Sequence, residues 1–188
     1  MSSMDELRAQ CLACRNCSLS EQRTNVVFGC GNPSADVMFV GEGPGREEDE
    51  QGIPFVGAAG RLLDDMLLAV GISREMVYIA NIVKCRPPQN RDPLPEEQQA
   101  CIGWLRAQTK LIRPRIIVCL GRIAAGVIIH DNYHISREHG TWTERAGVRM
   151  TATFHPAALL RNAEYRAPAI EDLILIRQEA EALGARVQ

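Results

Sequence analysis

The feature that most limits how this chain can fold is a recurring alternation of short apolar runs with amphipathic segments. Asp36-Val-Met-Phe-Val-Gly41 is an apolar run closed by glycine and reads as a buried strand. Residues 58–70 then place Leu62, Leu63, Met66, Leu67 and Val70 on one helical face. Val77–Val83 is a second strand, followed by a helix opening at Pro95 with Cys101, Trp104, Leu105, Gln108 and Leu111 along one side. Arg115–Leu120 is a third strand, and Gly121 opens a helix reaching Ile129. Val148–Thr153 is a fourth strand, and a last helix from Ala167 to Leu183 carries Ile170, Leu173, Ile174 and Arg177 on one face. Such alternation specifies an α/β fold, a parallel sheet covered by helices on both faces. Ligands of such sheets bind beyond the carboxyl ends of the strands. The residues of interest are therefore expected just after Val40, Ile79, Leu120 and Thr153.

Those four positions do carry unusual sequence. The first strand runs into Gly41-Glu-Gly-Pro-Gly45, the second bears Asn81 and ends in Cys85, the third ends at Gly121, and the fourth leads to Phe154-His155-Pro156. Glycines such as Gly41 and Gly43 let backbone approach a ligand closely. No Lys-Ser/Thr ending follows, which argues against a nucleoside triphosphatase. Glu42 lies within the turn, where a carboxylate can face a site. The acidic run Glu47–Glu50 reads as mostly solvated loop, and Phe55, between Pro54 and a glycine-bounded helix start, is a platform on which a flat ligand could stack.

A length of 188 residues suits a single domain over 1–188, and 46% hydrophobic with 23% charged residues is a globular composition. No apolar run reaches membrane-spanning length and the first residues do not read as a signal peptide, so a cytoplasmic protein without a membrane partner is expected. The net charge of −2 hides an asymmetry. Residues 101–166 carry 10 Lys/Arg against 4 Asp/Glu, and 19 of the 21 basic residues in the chain are Arg, whose forked guanidinium suits phosphate. Genomic preference for Arg codons explains the composition equally well.

Seven cysteines, an odd number at uneven spacing, do not make a disulfide framework. Cys14-Arg-Asn-Cys17 is a CxxC pair, Cys85 follows the second strand and Cys101 lies on the next helix. Four thiolates suit zinc or an iron–sulfur cluster, and the spacing does not choose between them. Cys11 adds an alternative register, since 11, 14 and 17 form CxxCxxC. Cys119, mid-strand, and Cys30 read as small buried hydrophobes.

Taken in order, Cys14-x-x-Cys17, Gly41-Glu-Gly-Pro-Gly45, Gly52-Ile-Pro-Phe-Val-Gly57, Val77-Tyr-Ile-Ala-Asn-Ile-Val-Lys-Cys85-Arg-Pro-Pro, Asn90-Arg91 and His155-Pro-Ala-Ala-Leu-Leu-Arg161 closely resemble the type 4 uracil-DNA glycosylases. The resemblance implies a three-layer α/β/α sandwich with a central four-stranded, mainly parallel sheet. It implies a [4Fe–4S] cluster on Cys14, Cys17, Cys85 and Cys101 that ties in the N-terminal segment, with Cys11, Cys30 and Cys119 left as ordinary cysteines. It implies a monomer acting on uracil-containing DNA, single- or double-stranded. Phe55 would stack on the flipped base, Asn81 would read its edge, and Glu48 would exclude the thymine methyl. His155 would stabilise the departing anion without needing to be charged, and Glu42 or Asn90 would position water. Leu159 or Leu160 would fill the vacated stack while Arg161 holds phosphate. Two other readings stand beside it: a uracil-DNA binder of the same superfamily trapped without turnover, and a non-catalytic iron–sulfur protein. The trapped relatives carry an inserted His-containing loop, whereas Gln89–Pro95 has neither insertion nor His.

Overall fold

The computed structural model describes residues 3–187, so residues 1, 2 and 188 of the expected domain lie outside the described residues. Among these residues six strands form one mixed sheet: β1 Cys30–Gly31, β2 Val37–Gly41, β3 Tyr78–Asn81, β4 Ile116–Leu120, β5 Thr143–Arg145 and β6 Val148–Thr153, in the order β1-β3-β2-β4-β6-β5. The four inner strands are the expected ones and are mutually parallel. The expectation of four strands falls short by β1 and β5, which pair antiparallel on the two edges.

Among the described residues nine α-helices pack around the sheet: α1 Met4–Leu12, α2 Leu19–Gln22, α3 Arg46–Gln51, α4 Ala58–Ala69, α5 Pro95–Ile112, α6 Arg122–Ile128, α7 Ile135–Glu138, α8 Pro156–Arg161 and α9 Arg166–Ala182. Alternation along the strands divides the apolar side chains between two cores. Met38, Val40, Tyr78, Ala80, Ile117 and Cys119 face one way and pack with α1, α5 and α6. Val37, Phe39, Ile79, Ile116, Val118 and Leu120 face the other way and pack with α4, α8 and α9. This is the three-layer α/β/α arrangement. Its inner strands are buried on both faces, which is why they read as unbroken apolar runs. On α9 the buried stripe is Ala169, Leu173, Ile176 and Ala180, and Ile174 faces out at 42% exposure, so the face expected for that helix is turned.

From β2 the chain steps to β3 on one side and then to β4 on the other. The strand order therefore reverses between β2 and β4, which opens a crevice beyond their carboxyl ends. Gly41 and Gly121 sit at those two ends.

Candidate active site

The crevice is a cleft of about 630 Å³ whose wall includes Glu42, Gly43, Glu48, Phe55, Asn81, Asn90, His155 and Arg161. Eight of the eleven residues expected to bind substrate or DNA or to act in catalysis thus meet at one place. Gly41 lies behind this wall and leaves room for it. A Cβ on Gly41 would stand 2.5 Å from Asn81 Oδ1 and 2.6 Å from the Phe55 ring. The absent side chain at 41 lets the ring and the amide pack against the strand end.

Phe55 is held in a left-handed backbone conformation (φ 53°), which costs a non-glycine residue about 1 kcal/mol or more. Several contacts hold it there. One Glu48 carboxylate oxygen accepts from Val56 N at 3.0 Å and Gly57 N at 2.8 Å. Arg74 donates to Pro54 O at 2.8 Å. Helix α4 lies so close that a Cβ on Gly60 would stand 2.0 Å from the Phe55 carbonyl oxygen. The ring is 6% exposed and its centroid is 5.6 Å from that of His155.

Asn81 ends β3 almost fully buried, and its Oδ1 has no hydrogen-bond partner. A buried acceptor left unpaired costs about 1–3 kcal/mol, so such an atom in a cleft wall marks where a donor from a ligand fits.

His155 caps α8, its Nδ1 accepting from Ala157 N at 3.1 Å. A ring nitrogen that accepts a backbone N–H carries no proton, which puts the proton of the neutral ring on Nε2. Burial pushes the His155 pKa down to about 4, helped by the Arg161 cation and opposed by Glu48. The ring is therefore neutral at pH 7 and offers Nε2–H as a donor. Gly121 makes room behind it, since a Cβ there would meet the His155 Cβ at 2.9 Å.

Glu42 is half-buried in the cleft wall. Burial first, and then the Asp92 carboxylate beside it, raise its pKa to about 7, while Arg122 and Arg161 pull the other way. Arg122 also pairs with Asp92. Asn90 sits in a left-handed turn (φ 56°), and its Oδ1 accepts from Arg86 Nε at 2.7 Å.

Two expectations need correction. Leu159, expected as a possible wedge, lies fully buried on the core side of α8, whereas Leu160 is 45% exposed beside Arg161. The acidic run 47–50 is helix α3 rather than solvated loop. Its Asp49 is buried and accepts from Thr24 N at 2.9 Å and Asn25 N at 3.2 Å, while its N-terminal turn places carboxylates at the favourable end of the helix dipole. Three arginines of the basic stretch 101–166 have protein partners. Arg115 pairs with Asp36, Arg149 with Glu179 and the Trp142 ring, and Arg145 donates to the Ile129 carbonyl.

Sequence reasoning missed Asp92 and Arg122. Arg122 could have been found, because it follows the third strand end directly. Asp92 carries no local signal beyond its place two residues after Asn90.

A second, small pocket is lined by Cys14, Cys17, Cys85 and Cys101, with Cys11, Arg23, Lys84 and Trp104. Among the described residues all seven thiols are free, and no three His, Cys, Asp or Glu side chains form a group that could hold a metal ion. Donors are aimed at two of the four expected ligands: the Arg23 guanidinium donates to Cys85 Sγ at 3.2 Å, and the Lys84 main-chain N–H donates to Cys101 Sγ at 3.2 Å. The side chains as placed do not close a metal site, but four soft thiols in one pocket, two of them hydrogen-bonded at sulfur, are the donor chemistry that an anionic iron–sulfur group would require. Cys11, expected to be ordinary, is fully buried on the rim of the same pocket. Cys119 is enclosed in β4, where burial pushes its thiol pKa up and keeps it inert. Cys30 lies on the edge strand β1.

Residues 28–174 match the family described as the uracil DNA glycosylase superfamily. The chain is 48% identical over 174 residues to the type-4 uracil-DNA glycosylase of Archaeoglobus fulgidus, covering 88% of this chain and 87% of that protein. It is 48% identical over 166 residues to the type-4 uracil-DNA glycosylase of Thermotoga maritima, covering 85% of each. The type-4 uracil-DNA glycosylase of Sulfurisphaera tokodaii is 42% identical over 189 residues, with 96% of this chain and 86% of that protein covered.

Proposed function

Because this chain belongs to the uracil DNA glycosylase superfamily, we propose that its cleft hydrolyses the N-glycosidic bond of uracil flipped out of DNA, leaving free uracil and an abasic site. The observation that carries this reading at the level of residues is the unpartnered Asn81 Oδ1, buried next to the Phe55 ring. An amide presents an acceptor and a donor side by side, which matches uracil N3–H and O4; cytosine presents the opposite pair. Pairing the orphaned oxygen with N3–H removes a desolvation cost that cytosine would leave in place, so discrimination is large.

A base inside a duplex is out of reach, and extrusion costs a few kcal/mol. Leu160, exposed at the end of α8, takes the vacated place in the stack, and Arg161 next to it holds a flanking phosphate. Phe55 stacks on the flipped base. Glu48 fixes the turn carrying Phe55, and its carboxylate in the cleft wall occupies space that a thymine methyl would need.

Cleavage breaks C1′–N1, leaving its electron pair on uracil and positive charge on the sugar. His155 Nε2–H donates to uracil O2 as the charge develops, and being neutral it can donate without having to lose a proton. Water then bonds to C1′ and gives up a proton. Glu42, poised near neutrality by burial and Asp92, accepts that proton, and Asn90 helps to orient the water.

Cys14, Cys17, Cys85 and Cys101 hold a [4Fe–4S] cluster in this reading. Hydrolysis transfers no electrons, and the group would supply a covalent cross-link joining the segment after α1, the strand end beyond β3, and α5. Loaded protein is expected to contain iron and acid-labile sulfide in equal amounts.

Incubating the protein with uracil-containing single- and double-stranded oligonucleotides, followed by alkali, tests the activity. Strand scission at the uracil position is expected. Intact strands, or protein–DNA adducts that survive denaturation, would contradict it.

A further inference from the structure

The cleft proposed to receive DNA is close to neutral in its own side chains. Four Asp or Glu residues line it against four arginines, Arg46, Arg91, Arg122 and Arg161, and His155 is uncharged. A polyanion needs cations that are free to meet phosphate. Three of these arginines already pair with a carboxylate.

The three pairs differ in how firmly they are made. Arg91 donates twice to Glu97, at 2.8 and 2.6 Å, and that carboxylate is 1% exposed and also accepts from Leu94 N. Arg91 is committed to the fold. Arg46 pairs one turn along α3 with Glu50, which is not part of the cleft wall. Arg122 pairs with Asp92, and among the described residues this is the one ion pair with both members in the wall. Their side chains are 60% and 55% exposed, so solvent and salt weaken the attraction.

The arginine hangs from a fixed point. Gly121 before it donates its N–H to the Thr153 carbonyl at 2.8 Å, and Ala124 and Ala125 bury the first turn of α6 behind it. On the other side, the Asp92 carbonyl accepts from Arg91 at 2.9 Å. In the row of strand ends Arg122 follows β4, between Glu42 after β2 and His155 after β6. The proposed reaction gives Glu42 the water at C1′ and His155 the departing base. The sugar of the flipped nucleotide, with a phosphate on either side, therefore comes to rest over Arg122.

We infer that Arg122 binds a phosphate next to the flipped nucleotide, and that Asp92 holds its guanidinium in the place of that phosphate until DNA arrives. The inference rests on the proposed glycosylase reading. A carboxylate and a phosphate each offer two oxygens to the guanidinium fork, so one can replace the other. DNA then competes with Asp92 for Arg122. DNA that sends no nucleotide into the cleft does not reach the arginine, so the contact favours an extruded nucleotide over plain duplex.

The test is equilibrium binding of an oligonucleotide carrying a tetrahydrofuran abasic analogue, which has no base to release. It is run at about pH 8.5, above the pKa of about 7 to which burial and Asp92 raise Glu42. Arg122→Gln should weaken binding about tenfold and reduce the slope of log K against log salt by about one. Arg122→Lys should keep the wild-type slope and recover part of the affinity, because the charge stays and the fork is lost. Uracil-free duplex should bind the three proteins alike. A merely structural arginine would leave the slope where it is. An unchanged affinity or slope in Arg122→Gln, or an equal loss on uracil-free duplex, would overturn the inference.

Asp92→Asn supplies a second, independent arm. It should tighten binding of the abasic analogue about threefold to tenfold in otherwise wild-type protein, and much less in the Arg122→Gln protein, where no guanidinium remains to be released. Equal effects in the two backgrounds would show general charge repulsion and overturn the exchange. Wild-type protein that neither releases uracil nor binds the abasic analogue would refute the proposed function itself. Wild-type protein that does both, alongside an Arg122→Gln variant that matches it, would refute only the role given to Arg122.

Discussion

Replacing Asn81 by leucine should make the free protein more stable and the enzyme nearly inactive, two effects of opposite sign from one side chain. In the free protein Asn81 Oδ1 is buried with no partner. Such an atom carries about 1–3 kcal/mol of unrecovered desolvation. Leucine of similar size removes that cost. Packing limits the gain, because the space is bounded by the Phe55 ring and by Gly41, whose missing Cβ would already lie 2.5 Å from Oδ1. A net stabilisation of about 1 kcal/mol is expected, which for a chain of this length raises the melting temperature by about 2–4 °C. Function moves the other way. The variant cannot pair with uracil N3–H or O4, and leaving both unpaired in a closed cleft costs about 2–6 kcal/mol, a rate loss of at least about 30-fold. Thermal melting of cluster-loaded protein and single-turnover uracil release measure the two effects on one preparation. Free uracil should raise the melting temperature of the wild type and leave that of the variant unmoved. A variant that melts below the wild type would show that Asn81 is a structural amide, and would refute the reasoning that its oxygen waits for a substrate donor.

Other outcomes follow from the same geometry. Glu42 must be ionised to accept a proton from water, so uracil release should fall as pH drops through about 7, the value to which burial and Asp92 raise its pKa. In Asp92→Asn the neighbouring charge is gone, and the acid limb of the pH–rate profile should move to lower pH; an unmoved limb would remove Glu42 as the titrating group. Leu160→Ala should slow excision from duplex DNA more than from single strands with the melting temperature unchanged, as expected of an exposed wedge. Leu159→Ala should instead destabilise the fold by about 2–5 kcal/mol, the usual cost of emptying a core position; paired melting curves and rates on both substrates separate the two. Cys85→Ser should lower iron content while Cys30→Ser leaves it unchanged, and equal iron in both would contradict the ligand assignment.

The parts of the fold that could be read from the sequence are those where burial writes a continuous pattern. The inner strands β2, β3, β4 and β6 are apolar runs because helices cover both faces, and their ends located the cleft correctly. Strands β1 and β5 have two and three residues and half-polar patterns, too short for any periodicity to show. Helix α3 was hidden by its composition. Four successive acids look like a solvated segment, and only the tertiary fold turns Asp49 inward to cap the Thr24–Asn25 backbone and Glu48 toward the Phe55 turn. The order of Leu159 and Leu160 rests on the rotation of α8, a six-residue helix with too few turns to define an apolar face. Asp92 and Arg122 act through partners far away in sequence, so no local spacing announces them.

The central claim is that this cleft releases uracil through a neutral imidazole aimed at the departing base. The most direct measurement is single-turnover release of uracil from a uracil-containing oligonucleotide by wild-type protein and by His155→Ala, with iron content and melting temperature checked on both. Removing one preorganised donor to a developing oxyanion costs about 100- to 1000-fold in rate. Free uracil from the wild type, with a loss of that size in a variant that stays folded and loaded, is the predicted result. Equal rates in the two proteins, or no free uracil from the wild type, would contradict it.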